Sequence, residues 1–278
     1  MSMEPVTERS VQQSDQTSQR IFAMTLRYWY LLRGSWPRVL ELAYWPSIQV
    51  MTWGFITQFF ATHSSYLMQA FGVLLSAVLL WDVLFRAQLG VSVSFLEEMW
   101  SRNLGHLFVA PLRPIEMVLA MTFMSVLRTL IGVVPATILS IVAFEYSIYD
   151  MGLPLLAFFV NLLVMGWAVG LAICGMLLRF GLAAESLAWG IVFTIGPISG
   201  IYYPVSILPH WLQPVALSLP SAQVFEGMRA VLVDGVFRGD LLLNAIGLNI
   251  IYLSIGTAIF LAAFRSARKR GSLLQIGE

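Results

Sequence analysis

This 278-residue chain contains one lysine, Lys269, and one cysteine, Cys174, and its charged residues make up only 11% of the total. Each scarcity excludes something. A phosphate-cradling GxxxxGK[ST] loop needs a lysine, and the only one lies in "RKR", so the chain does not hydrolyse ATP through such a loop. A single cysteine allows no intramolecular disulfide, and Cys174, set in an apolar run, reads as a small buried residue. The three histidines, His63, His106 and His210, fall in loops or at helix ends and form no ligand cluster, so no metal site is expected. No HExxH or GxSxG occurs. Ser76, Ser125 and Ser140 have no histidine at matched depth, which argues against an intramembrane hydrolase. No basic cluster alternates with stacking aromatics, which argues against a nucleic-acid partner.

What the chain has instead is apolar length. Hydrophobic residues reach 58% and the mean hydropathy is +0.79. About 20 apolar residues cross a hydrocarbon core, and several uncharged runs meet that length. The expectation is an all-α integral membrane protein with six transmembrane helices near 39–60, 67–92, 115–143, 153–178, 186–203 and 241–264. Residues 1–20 are polar, lack the apolar core of a signal peptide, and read as a disordered tail. Residues 21–37 mix Arg27 and Arg33 with Trp and Tyr, a pattern suited to an interfacial helix. Residues 266–278 read as a second polar tail.

Orientation follows from arginine. With both termini on one side, that side collects Arg20, Arg27, Arg33, Arg38, Arg102, Arg113, Arg179 and the basic run from Arg265 to Arg270. The opposite loops hold only Arg229 and Arg238 against Glu145, Asp150, Glu226, Asp234 and Asp240. The positive-inside rule then places both termini in the cytoplasm.

Three charges fall inside expected spans: Asp82, Arg86 and Arg128. Charges at that depth are paired or functional. Asp82 and Arg86, four apart, share a helix face and could pair with each other. Counting helical rise from the polar island 95–114 also allows a second geometry. In it Asp82 and Arg128 reach the same height and clasp spans two and three, with Arg86 reaching towards the cytoplasm. Gly166-xxx-Gly170 would let another helix approach closely.

Two polar stretches remain. "FLEEMWSRNLGHLFVAPLRP" (95–114) is a charged, proline-ended island on the cytoplasmic side. On the other side, 196–232 has Pro204, Pro209, Pro214 and Pro220, which break any continuous helix, yet it is too apolar for a solvated loop. A pair of short helices re-entering the outer leaflet over 203–232 fits both facts. Glu226 and Arg229, at i and i+3, read as a helix-surface ion pair or as part of an outer gate.

These stretches carry a resemblance. "LEEMWSRNLGHLFVAPLRP" and "YYPVSILPHWLQPVALSLPSAQVFEGMR", with six spans and an interfacial helix, resemble the permease subunit of ABC-2 type exporters over 21–265. The similarity is to the branch of drug exporters and the nodulation lipo-oligosaccharide exporter. Polysaccharide exporters of the same family carry an Asn-Pro where this chain has "SLPS", so a polysaccharide or glycolipid cargo is the alternative. The resemblance implies a bacterial inner-membrane homodimer with two copies of a separate ATPase subunit that binds ATP and magnesium. The cargo would be lipid-linked, amphipathic or drug-like. It makes 95–110 a coupling helix, with Glu97, Glu98, Arg102 and Asn103 as polar contacts to the ATPase. Met99, Trp100, Leu104, Leu107 and Phe108 would be its apolar anchors, and Arg27 and Arg33 a second contact. Tyr202, Tyr203, Pro204, Trp211, Glu226 and Arg229 would form an outer gate. A different class, a proton-coupled carrier titrating Asp82, stays open on the residues alone.

Overall fold

The computed structural model describes the backbone of residues 6–63 and 68–270, with side chains except at 6–15, 60–63, 68–71, 108 and 109. Every regular element among them is helical: α1 Val6–Arg33, α2 Trp36–His63, α3 Met68–Trp100, α4 Leu104–Val109, α5 Pro114–Phe144, α6 Leu153–Phe180, α7 Glu185–Ile198, α8 Gln213–Leu217, α9 Pro220–Arg229 and α10 Gly239–Arg270. Prolines open several of them. Pro114, Pro154, Pro214 and Pro220 occupy the first or second position of α5, α6, α8 and α9, where a missing N–H costs nothing. Gly235, at φ +67°, ends a single π-turn after α9.

Four stretches are long and apolar enough to cross a membrane: Gly72–Trp100, Pro114–Phe144, Leu153–Ile198 and Gly239–Arg270. The chain is a multi-pass membrane protein by this measure. The expected first span corresponds to α2, which is long enough but less apolar and is not among the four. The expected fifth span corresponds to α7, which has 14 residues and follows α6 within one of the four stretches.

α3 is the central element, packed against α2, α5 and α6, while α6 packs against α10. The glycines explain how close these helices come. A Cβ on Gly166 would meet Ala87 Cβ at 2.6 Å, and one on Gly170 would meet Val91 Cβ at 2.9 Å. Both lie on the α6 face that meets α3, so the spacing serves packing within the chain. α6 and α10 also share a buried polar lock, with Asn249 Nδ2 donating to Asn161 Oδ1 at 2.9 Å and to its backbone oxygen at 3.0 Å. Two apolar clusters fill the bundle. One, around Tyr28, Phe95, Met99, Met121 and Phe260, lies towards the arginine-rich end, and the other, around Leu80, Leu84, Phe158 and Phe225, towards the opposite end.

Several expectations change. The helix begins at Val6, inside the stretch read as a disordered tail, and continues through the expected interfacial helix to Arg33. The coupling segment is not one helix over 95–110. Phe95–Trp100 is the last part of α3, because nothing in "FLEEMW" breaks a helix. A turn at 101–103 follows, with Arg102 left-handed at φ 53°, and α4 starts afresh at Leu104. Asn103 N–H bonds to Glu98 O and Arg102 N–H to Met99 O, closing the end of α3. The outer region 203–232 consists of a 3-10 turn at Val205–Ile207, then α8 and α9. Residues 271–278, part of the expected second tail, lie outside those described.

Candidate functional site

The island was read as a surface for a partner, yet most of it faces inwards. Glu98 is fully buried and accepts hydrogen bonds from Arg27 of α1 at 3.0 Å and Asn103 Nδ2 at 2.9 Å. Glu97 is 8% exposed and is held from two helices: Arg38 of α2 at 3.0 Å, and Arg128 of α5, which reaches both its oxygens at 3.0 and 3.2 Å. A third link joins Arg20 of α1 to Glu116 of α5 at 3.6 Å, while Glu116 Oε2 caps α5 through the Arg113 N–H at 2.9 Å. Met99, Leu104 and Leu107 are core residues. None of these five, Glu97, Glu98, Met99, Leu104 and Leu107, is free to touch a partner as the resemblance implied. The physical reason is the continuation of α3: its last turn stays inside the bundle and its acids meet three converging arginines. The Phe108 side chain lies outside those described.

What remains exposed is the tip. Trp100 is 46% exposed and donates Nε1–H to Glu185 of α7 at 3.2 Å. Ser101, Arg102, Ala110, Pro111 and Arg113 are exposed around it, and Arg33 is exposed at the end of α1. Beside this tip is a concavity of about 280 Å³ lined by Arg20, Arg113, Arg268, Pro111, Pro114 and Phe264, with no acidic residue in its wall.

The intramembrane charges pair differently from the expected clasp. Arg86 Nε donates to Asp82 Oδ2 at 2.9 Å, the i,i+4 alternative, and Arg128 goes to Glu97. The cause is side-chain direction. Gly90 of α3 lies against Ser125 of α5, whose Oγ donates to Ala87 O at 2.8 Å. On antiparallel helices Arg128, three residues beyond Ser125, then lies level with Ala87, between Asp82 and Glu97. Side chains lean towards the N-terminus of their own helix, which carries Arg128 along α3 towards Glu97 and carries Asp82 away from Arg128. The helical-rise count started from the wrong point, since six island residues belong to α3, about 9 Å of helix.

These charges line a cleft of about 590 Å³ between α2, α3, α5 and α7. Arg38, Arg86 and Arg128 stand against Glu41, Asp82 and Glu97 in its wall, so the formal charges cancel. Phe85 of α3 faces Trp189 and Phe193 of α7 at ring-centroid distances of 6.5 and 5.7 Å. Volume, apolar walls and a few convergent polar groups are the attributes of a small-molecule site. Of its wall, sequence reasoning singled out Asp82, Arg86, Glu97, Trp100 and Arg128. It missed Glu41, Trp45, Gln49, Phe85, Trp189 and Phe193, which come from three helices; the i,i+4 spacings within α2 and within α7 do not say that the two faces meet.

At the opposite end, the expected gate residues bond locally. Tyr202 stacks on Trp53 of α2, with centroids 4.5 Å apart and planes at 18°, and burial pushes its phenol upward. Tyr203 donates to Pro197 O at 2.7 Å. Arg229 bonds Glu226 at 2.9 Å, and the same carboxylate oxygen accepts the Val205 N–H that follows Pro204. Trp211 is 74% exposed. Among the described residues no group of His, Cys, Asp and Glu could hold a metal ion.

No protein-family model and no curated relative matches this chain. The polytopic helical architecture and the charged cleft therefore stand on their own geometry.

Proposed function

We propose that the chain is the permease subunit of an ATP-driven exporter of the ABC-2 type. It would have six spans, both termini in the cytoplasm and a second permease copy beside it in a bacterial inner membrane. A separate ATPase, in two copies, supplies ATP hydrolysis, since the one lysine rules out a phosphate loop in this chain. The observation that carries the reading is the junction of α3, α4 and α5. An exposed tip (Trp100, Arg102, Pro111) projects from helix ends that are tied by ion pairs to α1 and α2. A push on such a tip moves four helices together, as a coupling element must. Glu97 and Glu98 act in this scheme as internal linkages behind the tip. Cargo enters the cleft between α2, α3, α5 and α7 and is amphipathic, lipid-linked or drug-like, with a glycolipid or polysaccharide as the alternative.

The test is to purify the chain with the ATPase encoded beside it. Co-purification and ATP-dependent transport in proteoliposomes are expected, with both falling at least about tenfold in a Trp100→Ala/Arg102→Ala variant. Transport by the purified chain alone under a proton gradient would reject this reading. The buried Asp82–Arg86 pair is the feature that favours such a carrier, and Asp82→Asn would then abolish transport.

A further inference from the structure

Within the cleft, hydrogen-bond donors exceed the acceptors that the protein offers them. Arg86 is only 6% exposed, and its one hydrogen bond among the described residues runs from Nε to Asp82. Among the described residues neither of its terminal amino groups has a partner. Arg128 is 5% exposed; one terminal amino group serves Glu97, and its buried Nε has no partner. The acids are closer to saturation. Both oxygens of Glu97 are taken, one of Asp82's is, and Glu41 is exposed at the rim.

Room has been left for this arrangement. A Cβ on Gly132 of α5 would fall 2.5 Å from Arg86 Nε and 2.7 Å from its Cζ, so the guanidinium rests in the notch of that glycine. Gly132 is one turn beyond Arg128, but Arg128 turns the other way along α3, to Glu97, so the notch serves the Arg86 guanidinium alone. A planar fork with unspent N–H groups on a side chain that is otherwise buried is matched to an oxyanion. Next to it, Phe85, Trp189 and Phe193 form an apolar wall that continues onto the exposed face of α7.

We propose that this cleft binds an amphipathic anion, its phosphate or carboxylate head on Arg86 and its apolar chain along Phe85, Trp189 and Phe193. Naming this ligand as cargo rests on the exporter reading; the binding itself does not. A cationic amphiphile is the poorer match, because Glu97 has no oxygen to spare and each buried arginine would repel it.

The full-length chain in detergent, titrated with lipids carrying brominated acyl chains, tests this through quenching of tryptophan fluorescence. Trp45, Trp100 and Trp189 line the cleft. Brominated phosphatidic acid is expected to quench saturably, at least about tenfold more tightly than brominated diacylglycerol, which lacks the anionic head. Arg86→Gln should erase that preference. Because this change leaves Asp82 unpaired, Asp82→Asn/Arg86→Gln provides a neutral pair with the same expected loss. Gly132→Ala keeps both charges but displaces the Arg86 head, and should also weaken binding.

Inorganic phosphate distinguishes the two sources of the oxyanion. Failure of millimolar phosphate to displace the lipid supports the amphipathic ligand, and displacement at the same concentration as lipid overturns it in favour of a soluble one. Equal binding of diacylglycerol, tighter binding of a brominated alkylammonium, or unchanged affinity in the double variant would each overturn the proposal. Lipid binding without a co-purifying ATPase would fail the exporter reading alone, and ATP-driven transport without anion preference would fail this one alone.

Discussion

The two ends of the helix bundle use charge in opposite ways. At the arginine-rich end each ion pair joins different helices: Arg20 to Glu116, Arg27 to Glu98, and Arg38 and Arg128 to Glu97. At the opposite end the pairs stay within a few residues: Glu226 with Arg229, and Arg238 with Asp240 at 2.6 Å. Glu226 adds one wider link, to the Val205 N–H. The backbone there is shaped instead by prolines and by side chains bonding to carbonyls, as Gln213 does to Leu208 O and Gln223 to Leu217 O. Long-range pairs fix how helices sit against one another; local pairs only stiffen a turn. The first end is built to move as a unit, and the second is built from separately braced short pieces.

The largest effect that would break this contrast comes from Glu97. It is the acid on which α2, α3 and α5 converge, and Arg128 has no other hydrogen-bond partner among the described residues. Removing one member of a buried pair strands the other charge, a loss of roughly 3–5 kcal/mol. Glu97→Ala should therefore lower the unfolding midpoint in detergent sharply, while Glu97→Ala/Arg128→Met recovers much of the loss. A double variant no more stable than the single one would show that Arg128 is not what Glu97 holds.

Much of this architecture was legible in sequence, for identifiable reasons. Pro114, the proline that ends the charged island, marked the start of α5, since an N-terminal proline works through local geometry alone. The Glu226–Arg229 pair was legible as i,i+3 spacing, and Asp82–Arg86 as one of two options. Glu97 and Glu98 were misread because their surroundings are non-local. An acidic pair before a turn has the same pattern whether it faces water or three arginines 31 to 71 residues away. The cleft's aromatic wall was equally hidden, as Phe85 meets Trp189 only once α7 folds back along α3. The Asn161–Asn249 lock left a partial trace: Asn161 is the one asparagine of its apolar run, but the last run carries two, Asn244 and Asn249, and nothing local says which is buried.

A smaller effect is expected at the opposite end. Glu226 is half-buried and its two bonds are to Arg229 and to the Val205 N–H. Glu226→Gln keeps an acceptor for Val205 and loses only the charge, so about 0.5–1 kcal/mol is the expected loss. Glu226→Ala should cost about 1–2 kcal/mol by orphaning the amide. Both are read from denaturant midpoints beside Glu97→Ala. A Glu226→Ala penalty equal to that of Glu97→Ala would erase the distinction between the two ends.

The smallest expected effect sharpens the contrast from within the ion-paired end. Tyr28 of α1 is fully buried, and its hydroxyl has no hydrogen-bond partner among the described residues, although Glu98 is close enough to perturb it. Burial, then the Glu98 charge, pushes the phenol well above its ordinary value. Packing of the ring, and not the hydroxyl, must then hold α1 here. Tyr28→Phe should leave stability at pH 7 unchanged or raise it by up to about 1 kcal/mol, because an unpaired buried donor is removed. At high pH the two chains should part. The folded protein retains the Tyr28 proton to higher pH than the unfolded chain, so its contribution is intact below about pH 10 and lost as pH rises towards the raised value. The phenylalanine chain has no such loss, and unfolding midpoints from pH 7 to 11 should show it pulling ahead at the alkaline end. If Tyr28→Phe instead lost about 2 kcal/mol at neutral pH, the hydroxyl would have to be bonded. The anchoring of α1 would then be shared between Tyr28 and the arginine pairs.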